Sequence, residues 1–133
     1  MRILVADDDS KLRQMIARML RRAGHEVTEV ANGRDAFFRI VERTFDAVIT
    51  DMRMPPESGL TVLQAMNRGD AVPAYVHSSE NTFTERGGGD TLDNLQTQIP
   101  EIFDFAEFHL KDTDHGKILG SILAFIEKRA ASI

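Results

Sequence analysis

Ile3-Leu4-Val5-Ala6-Asp7-Asp8-Asp9-Ser10 is the stretch on which the fold turns. Four apolar residues, two of them β-branched, run without a polar break and then stop at three aspartates. An unbroken apolar run of strand length is the mark of a strand buried on both faces, the parallel-sheet kind. From Ser10 the period changes. Leu12, Met15, Ile16, Met19, Leu20 and Ala23 recur at the three-and-four spacing of one helix face. Ser10 is the expected N-cap, and Gly24 the expected stop. A buried strand feeding an amphipathic helix is half of a β/α unit, with the acids at the strand's carboxyl end.

The same grammar repeats along the chain. Glu26 to Val30 reads as a strand, Asn32-Gly33 as a turn, and Ala36, Phe37, Ile40 and Val41 as the apolar positions of a second helix. Phe45 to Thr50 reads as a third strand, again ended by an aspartate, Asp51. Met54-Pro55-Pro56 forces a loop, and Ser58-Gly59 opens a third helix carrying Leu60, Leu63 and Met66. Ala74 to His77 is a fourth strand, closed by Ser78-Ser79. The alternation then breaks. Asn81 to Asp90 is polar around Gly87-Gly88-Gly89 and reads as a loop. Leu92, Leu95 and Ile99 line a short helix ending before Pro100. Ala106 to Leu110 is a fifth strand leading to Lys111, and a last helix from Asp114 carries Ile118, Leu119, Ile122, Phe125 and Ile126. Strands alternating with amphipathic helices imply an α/β fold, a parallel sheet covered on both faces.

Size and composition narrow the function classes. A chain of 133 residues fits one domain, 1–133, with an irregular region about 80–105. The net charge of -5 argues against non-specific nucleic-acid binding, which needs a basic face. With no cysteine, disulfides and thiolate-based metal sites are excluded. No apolar run approaches the ~18 residues of a membrane span, and the N-terminus lacks the profile of a signal peptide, so a cytoplasmic protein without membrane attachment is expected.

In an open α/β sheet, ligands bind beyond the carboxyl ends of the strands. Those ends carry Asp7 and Asp8, Asp51, Ser78 and Lys111. Clustered carboxylates repel one another unless a cation lies between them, and hard oxygen donors at a small site suit Mg²⁺. His77 and His109, on neighbouring strands, read as packing residues. The glycine run lacks the lysine and hydroxyl of a phosphate-binding loop.

Together, Ile3–Ser10, Val48-Ile49-Thr50-Asp51-Met52-Arg53-Met54-Pro55, Ser58-Gly59-Leu60, Val76–Ser79 and Leu110-Lys111 resemble the receiver domain of two-component response regulators. The resemblance implies a flavodoxin-like, doubly wound five-stranded parallel sheet of order 2-1-3-4-5. That order is a known property of the family and comes with the resemblance, not with the pattern of elements. The resemblance also implies that Asp51 is the phosphoacceptor, and that Asp7, Asp8, Asp51 and the backbone carbonyl of Arg53 hold Mg²⁺. Lys111 and Ser78 are then the phosphate-binding and switch residues, with Phe108 as the aromatic switch. Arg53 and Glu80 flank the site and tune the lifetime of the phosphoryl group. The donor is a histidine kinase or a histidine phosphotransfer protein, and the output is a contact with a downstream protein target. Such a chain catalyses its own phosphotransfer and dephosphorylation and is not a turnover enzyme. A stand-alone receiver is expected.

Three features depart from the family pattern. Lys111 is followed by Asp112 where the family has a proline after a cis bond; without proline a cis bond costs ~3 kcal/mol, so a trans bond is expected. Phe108 has no hydroxyl to donate. The stretch from Ser78 to Lys111 is long for the family, and long loops tend to be functional. A shortened or displaced helix in that stretch, with non-standard partner recognition, is the consequence. The rival reading is a receiver-like interaction module that is never phosphorylated. A hydrolase of the aspartyl-phosphate kind would want a second acid where Arg53 stands.

Overall fold

The computed structural model describes residues 1–42, 44–54, 57–58, 62, 72–78, 102–111 and 113–131, without the side chains at 53–54, 57–58 and 102–103. The elements are β1 (Arg2–Ala6), α1 (Ser10–Arg22), β2 (Glu26–Val30), α2 (Gly33–Glu42), β3 (Ala47–Asp51), β4 (Ala74–Ser78), α3 (Ile102–Phe105), β5 (Ala106–Leu110) and α4 (His115–Ala130). A two-residue antiparallel ladder, Arg53–Met54 against Glu57–Ser58, follows β3. The five main strands form one sheet of order β2-β1-β3-β4-β5, and each neighbouring pair is parallel. This is the doubly wound, flavodoxin-like order the resemblance implies. The third helix, the polar stretch 81–90, the helix of Leu92, Leu95 and Ile99, and the Lys111–Asp112 bond lie outside the described residues.

Strand alternation sorts the core into two layers. Leu4, Ala6, Val48, Val76 and Ala106 pack on one face with Ala36 of α2, Val62 and Phe105. Ile3, Val5, Ala47, Ile49 and Tyr75 pack on the other with Leu12, Ile16 and Leu20 of α1 and Ile118, Ile122, Phe125 and Ile126 of α4. Because both faces are covered, the central strands need the continuous apolar runs seen in the sequence. Fully burying one such side chain contributes about 1.5–3 kcal/mol.

Local chemistry explains the boundaries. Asp9, rather than Ser10, caps α1: its carboxylate accepts from the N–H groups of Lys11 and Leu12, and Ser10 is the first helical residue. Asp114 caps α4 in the same way, accepting from Gly116 N–H. Satisfying those end donors is what a cap residue does. Gly24 follows α1 with φ +93°, the left-handed turn that glycine takes most cheaply. Two further points differ from the sequence reading. Val41 points outward from α2, where Ala36 is buried and Ile40 packs on the core. The chain between Pro100 and β5, unassigned in the sequence, forms the short helix α3, whose Phe105 plugs the α2 layer.

Candidate functional site

Four strand ends meet at one rim. β1 ends at Ala6, so Asp7 is the first residue past the sheet; its N–H donates to Val30 O and its own carbonyl accepts from Arg13 Nη1. β3 keeps Asp51 as its last rung, in register with His77 of β4. β4 and β5 close the rim, with Ser78 in register with Leu110 and Lys111 immediately after. Two backbone hydrogen bonds tie these ends together: Met52 N–H to His77 O at 2.9 Å and Lys111 N–H to Ser78 O at 2.7 Å.

Carboxylate oxygens of Asp7, Asp8 and Asp51 lie within 4.8 Å of one another. Asp7, Asp51 and Ser78 are buried, while Asp8 is exposed at the mouth. Lys111 Nζ reaches into the acids, 2.9 Å from Asp51 Oδ2 and 3.6 Å from Asp7 Oδ2. One ammonium group against three carboxylates leaves two negative charges to be balanced, and a divalent cation with oxygen ligands meets that need. The donor set therefore fits Mg²⁺.

The charges shift one another. Burial works to raise the Asp7 carboxyl, but the His77 ring, the Lys111 ammonium group and the Asp9 N–H oppose it and hold it below its ordinary 3.8. Burial works to lower Lys111, and the Asp51 and Asp7 carboxylates outweigh it, so the lysine is raised above 10.5. Both groups stay charged through neutral pH. Asp7 is held on both sides. Oδ1 accepts from Asp9 N–H at 2.9 Å, and Oδ2 faces Lys111 and the ring of His77, whose Nε2 is 3.2 Å away.

That last contact is not legible in the sequence. His77 is buried, as a packing residue would be, but its ring faces an acid. The available signal is parity: His77 is the register partner of Asp51, so its side chain leaves the sheet on the same face. Of the other expected residues, Phe108 is half-buried and packs against the α2 layer, pointing to the face opposite His77 and His109. The Arg53 backbone lies in the short ladder two residues past Asp51, and its side chain is not described. Glu80 lies outside the described residues.

Against known proteins, residues 3–87 match the family model for the response regulator receiver domain. The chain belongs to this family. As a receiver, it is 34% identical over 97 residues to a protein-glutamate methylesterase/protein-glutamine glutaminase of Archaeoglobus fulgidus, covering 72% of this chain and 27% of that protein. It is 32% identical over 137 residues to the DNA-binding transcriptional regulator NtrC of a Bradyrhizobium species, covering 98% of this chain and 26% of that one. The receiver thus spans about a quarter of the length of these two relatives. Among solved structures it is similar to the receiver domain of the hybrid histidine kinase CckA, with TM-score 0.65 and 26% identity over 94% of this chain and 98% of that one. The receiver domain of a putative Luxo repressor protein from Vibrio parahaemolyticus shares the fold, with TM-score 0.70 and 20% identity over 98% and 93% of the two chains.

Proposed function

We propose that this receiver is a phosphorylation-driven switch in which Asp51 accepts a phosphoryl group from the phosphohistidine of a histidine kinase or histidine phosphotransfer protein. A carboxylate oxygen of Asp51 forms the new bond to phosphorus as the bond from phosphorus to the donor imidazole breaks, and the imidazole leaves with the electron pair. Asp7, Asp8, Asp51 and the backbone carbonyl of Arg53 hold Mg²⁺. An ion bound there would supply positive charge against the transferring oxygens, in a transfer that is mostly positioning and electrostatics. Lys111 holds one phosphoryl oxygen. Ser78, the last residue of β4, hydrogen-bonds another after transfer, and its movement, with repacking of Phe108, alters a surface read by a downstream protein. By their match to family positions, Arg53 and Glu80 set how long the phosphoryl group persists. The chain acts once per phosphoryl group received and is not a turnover enzyme.

The observation that carries this reading is the pocket itself: three carboxylates within 4.8 Å, with Lys111 Nζ 2.9 Å from Asp51. No described helix is long and apolar enough to cross a membrane, which agrees with a cytoplasmic setting. The net charge of -5 agrees with a protein, rather than nucleic acid, as the target of this domain.

Incubation with acetyl phosphate tests it. Intact mass is expected to rise by one phosphoryl group with Mg²⁺, and not with a chelator or in Asp51→Asn. A wild-type protein that gains no mass in Mg²⁺ from either acetyl phosphate or a phosphohistidine donor is instead an interaction module that keeps the fold without the chemistry.

A further inference from the structure

His77 is a buried polar residue at this rim that the mechanism above leaves unused. Its side chain is 1% exposed, and among the described residues neither Nδ1 nor Nε2 has a hydrogen-bond partner. Leaving a buried polar atom unpaired is costly, and a valine or leucine at the end of β4 would avoid the cost. The ring does not lie at random. Nε2 stands 3.2 Å from Asp7 Oδ2, close enough for a hydrogen bond but off its line, and that oxygen is also without a hydrogen-bond partner among the described residues. A ring nitrogen and a carboxylate oxygen, neither hydrogen-bonded among the described residues, therefore face each other.

The ring's surroundings bring one of its nitrogens to an acid. Tyr75 meets it edge-on, with ring centroids 5.9 Å apart. The ring also borders a cavity of about 170 Å³ lined by Tyr75, His77, His109, Lys117 and Ser121 among others. That cavity does not reach the ring nitrogens, which are both closed to solvent. Nε2 faces Asp7.

We infer that His77 is a positioning residue for the acid pocket: Nε2–H donates to Asp7 Oδ2 and fixes the orientation in which Asp7 meets the divalent cation. With Asp9 N–H on Oδ1, this anchors the carboxylate from both sides while each oxygen keeps a lone pair for metal. Groups of this kind, one shell out from the ion, orient its ligands. The inference rests on the Mg²⁺ reading above and adds a residue to it.

Two variants separate positioning from packing. His77→Leu fills the space without a donor; His77→Gln restores an N–H near the position of Nε2. Mg²⁺ affinity is measured by titration calorimetry on the full chain, alongside thermal melting without metal. His77→Leu is expected to remain folded, with a cooperative melt, and to bind Mg²⁺ about 10-fold more weakly, the low end for such partners. His77→Gln is expected to recover most of the affinity. Long-range ¹H–¹⁵N spectra of the metal-free protein should show the proton on Nε2. A leucine variant that binds Mg²⁺ as tightly as a wild type able to take a phosphoryl group overturns the inference and leaves the functional reading standing. So does a proton on Nδ1 alone, or a glutamine variant no better than leucine. A wild type that binds no Mg²⁺ fells both.

Discussion

Lys111 is the residue on which the pocket's electrostatics balance. Its ammonium group lies between Asp51 and Asp7 and forms an ion pair with each. Lys111→Met is therefore expected to lower stability by about 1.5–3 kcal/mol in metal-free buffer, the worth of a charged hydrogen bond. Added Mg²⁺ should recover much of that loss, because the acids are then neutralised by the ion, and the variant should bind Mg²⁺ more tightly than wild type. Urea unfolding with and without Mg²⁺ reads both effects; an unchanged midpoint without metal would show that the lysine contributes nothing. At this scale the acids are legible because a carboxylate ends a buried apolar run, so Asp7 and Asp51 mark where strands stop, Asp51 as the last residue of β3 itself. His77 is not, because a histidine inside an apolar strand looks the same whether its nitrogens face solvent, core or a charge.

At the scale of elements, the end of α1 offers a clean measurement. Gly24 has φ +93°, and a Cβ built there meets no atom within 4 Å. Gly24→Ala thus costs only the backbone conformation, about 1–2 kcal/mol for a left-handed L-residue. Gly24→Asn, whose short polar side chain tolerates that region, should cost less. Equal stability of the alanine variant and wild type would mean the turn relaxes into another conformation. The glycine is readable from sequence, and so are β2 and β5 to the residue, because turn residues and apolar runs are local signals. The N-cap of α1 lies one residue before the expected Ser10, since Asp9 and Ser10 both have capping side chains and only the geometry chooses between them. Helix α3 leaves no mark in the sequence because four residues are too few to show a period.

For the molecule as a whole, the buried charges set a pH profile. Asp7 is held below 3.8, so its contribution is present above that value and is lost as pH falls through its folded value. Lys111 is raised above 10.5; its contribution is present below that value and is lost as pH rises through its folded value. His109 is held below 6.5, by burial first, with nearby His77 adding to it and Glu107 opposing. The unfolded chain then takes up the proton more readily, so stability declines as pH drops below 6.5. Tyr75 is raised above 10.0, by burial first, so the unfolded chain gives up that proton more readily, and urea midpoints in metal-free buffer are expected to be highest between pH 6.5 and 10.0. His109→Gln should flatten the first step of the acid limb, and a profile that rises on acidification through that range would contradict the assignment. The sheet order is legible only through the family resemblance, while the two-layer core follows from alternation alone: odd and even residues of each strand go to different helices.

The ladder between Ala74–Ser78 and Ala106–Leu110 has a consequence for descent. It holds Lys111 beside Ser78 through their own backbone bond, whatever lies between them along the chain. Doubling the length of a connecting loop costs only about 0.6 kcal/mol of closure entropy. Lineages are therefore free to lengthen, trim or rewrite that connection, and to acquire new listeners through it, while the chemistry at the rim is inherited intact.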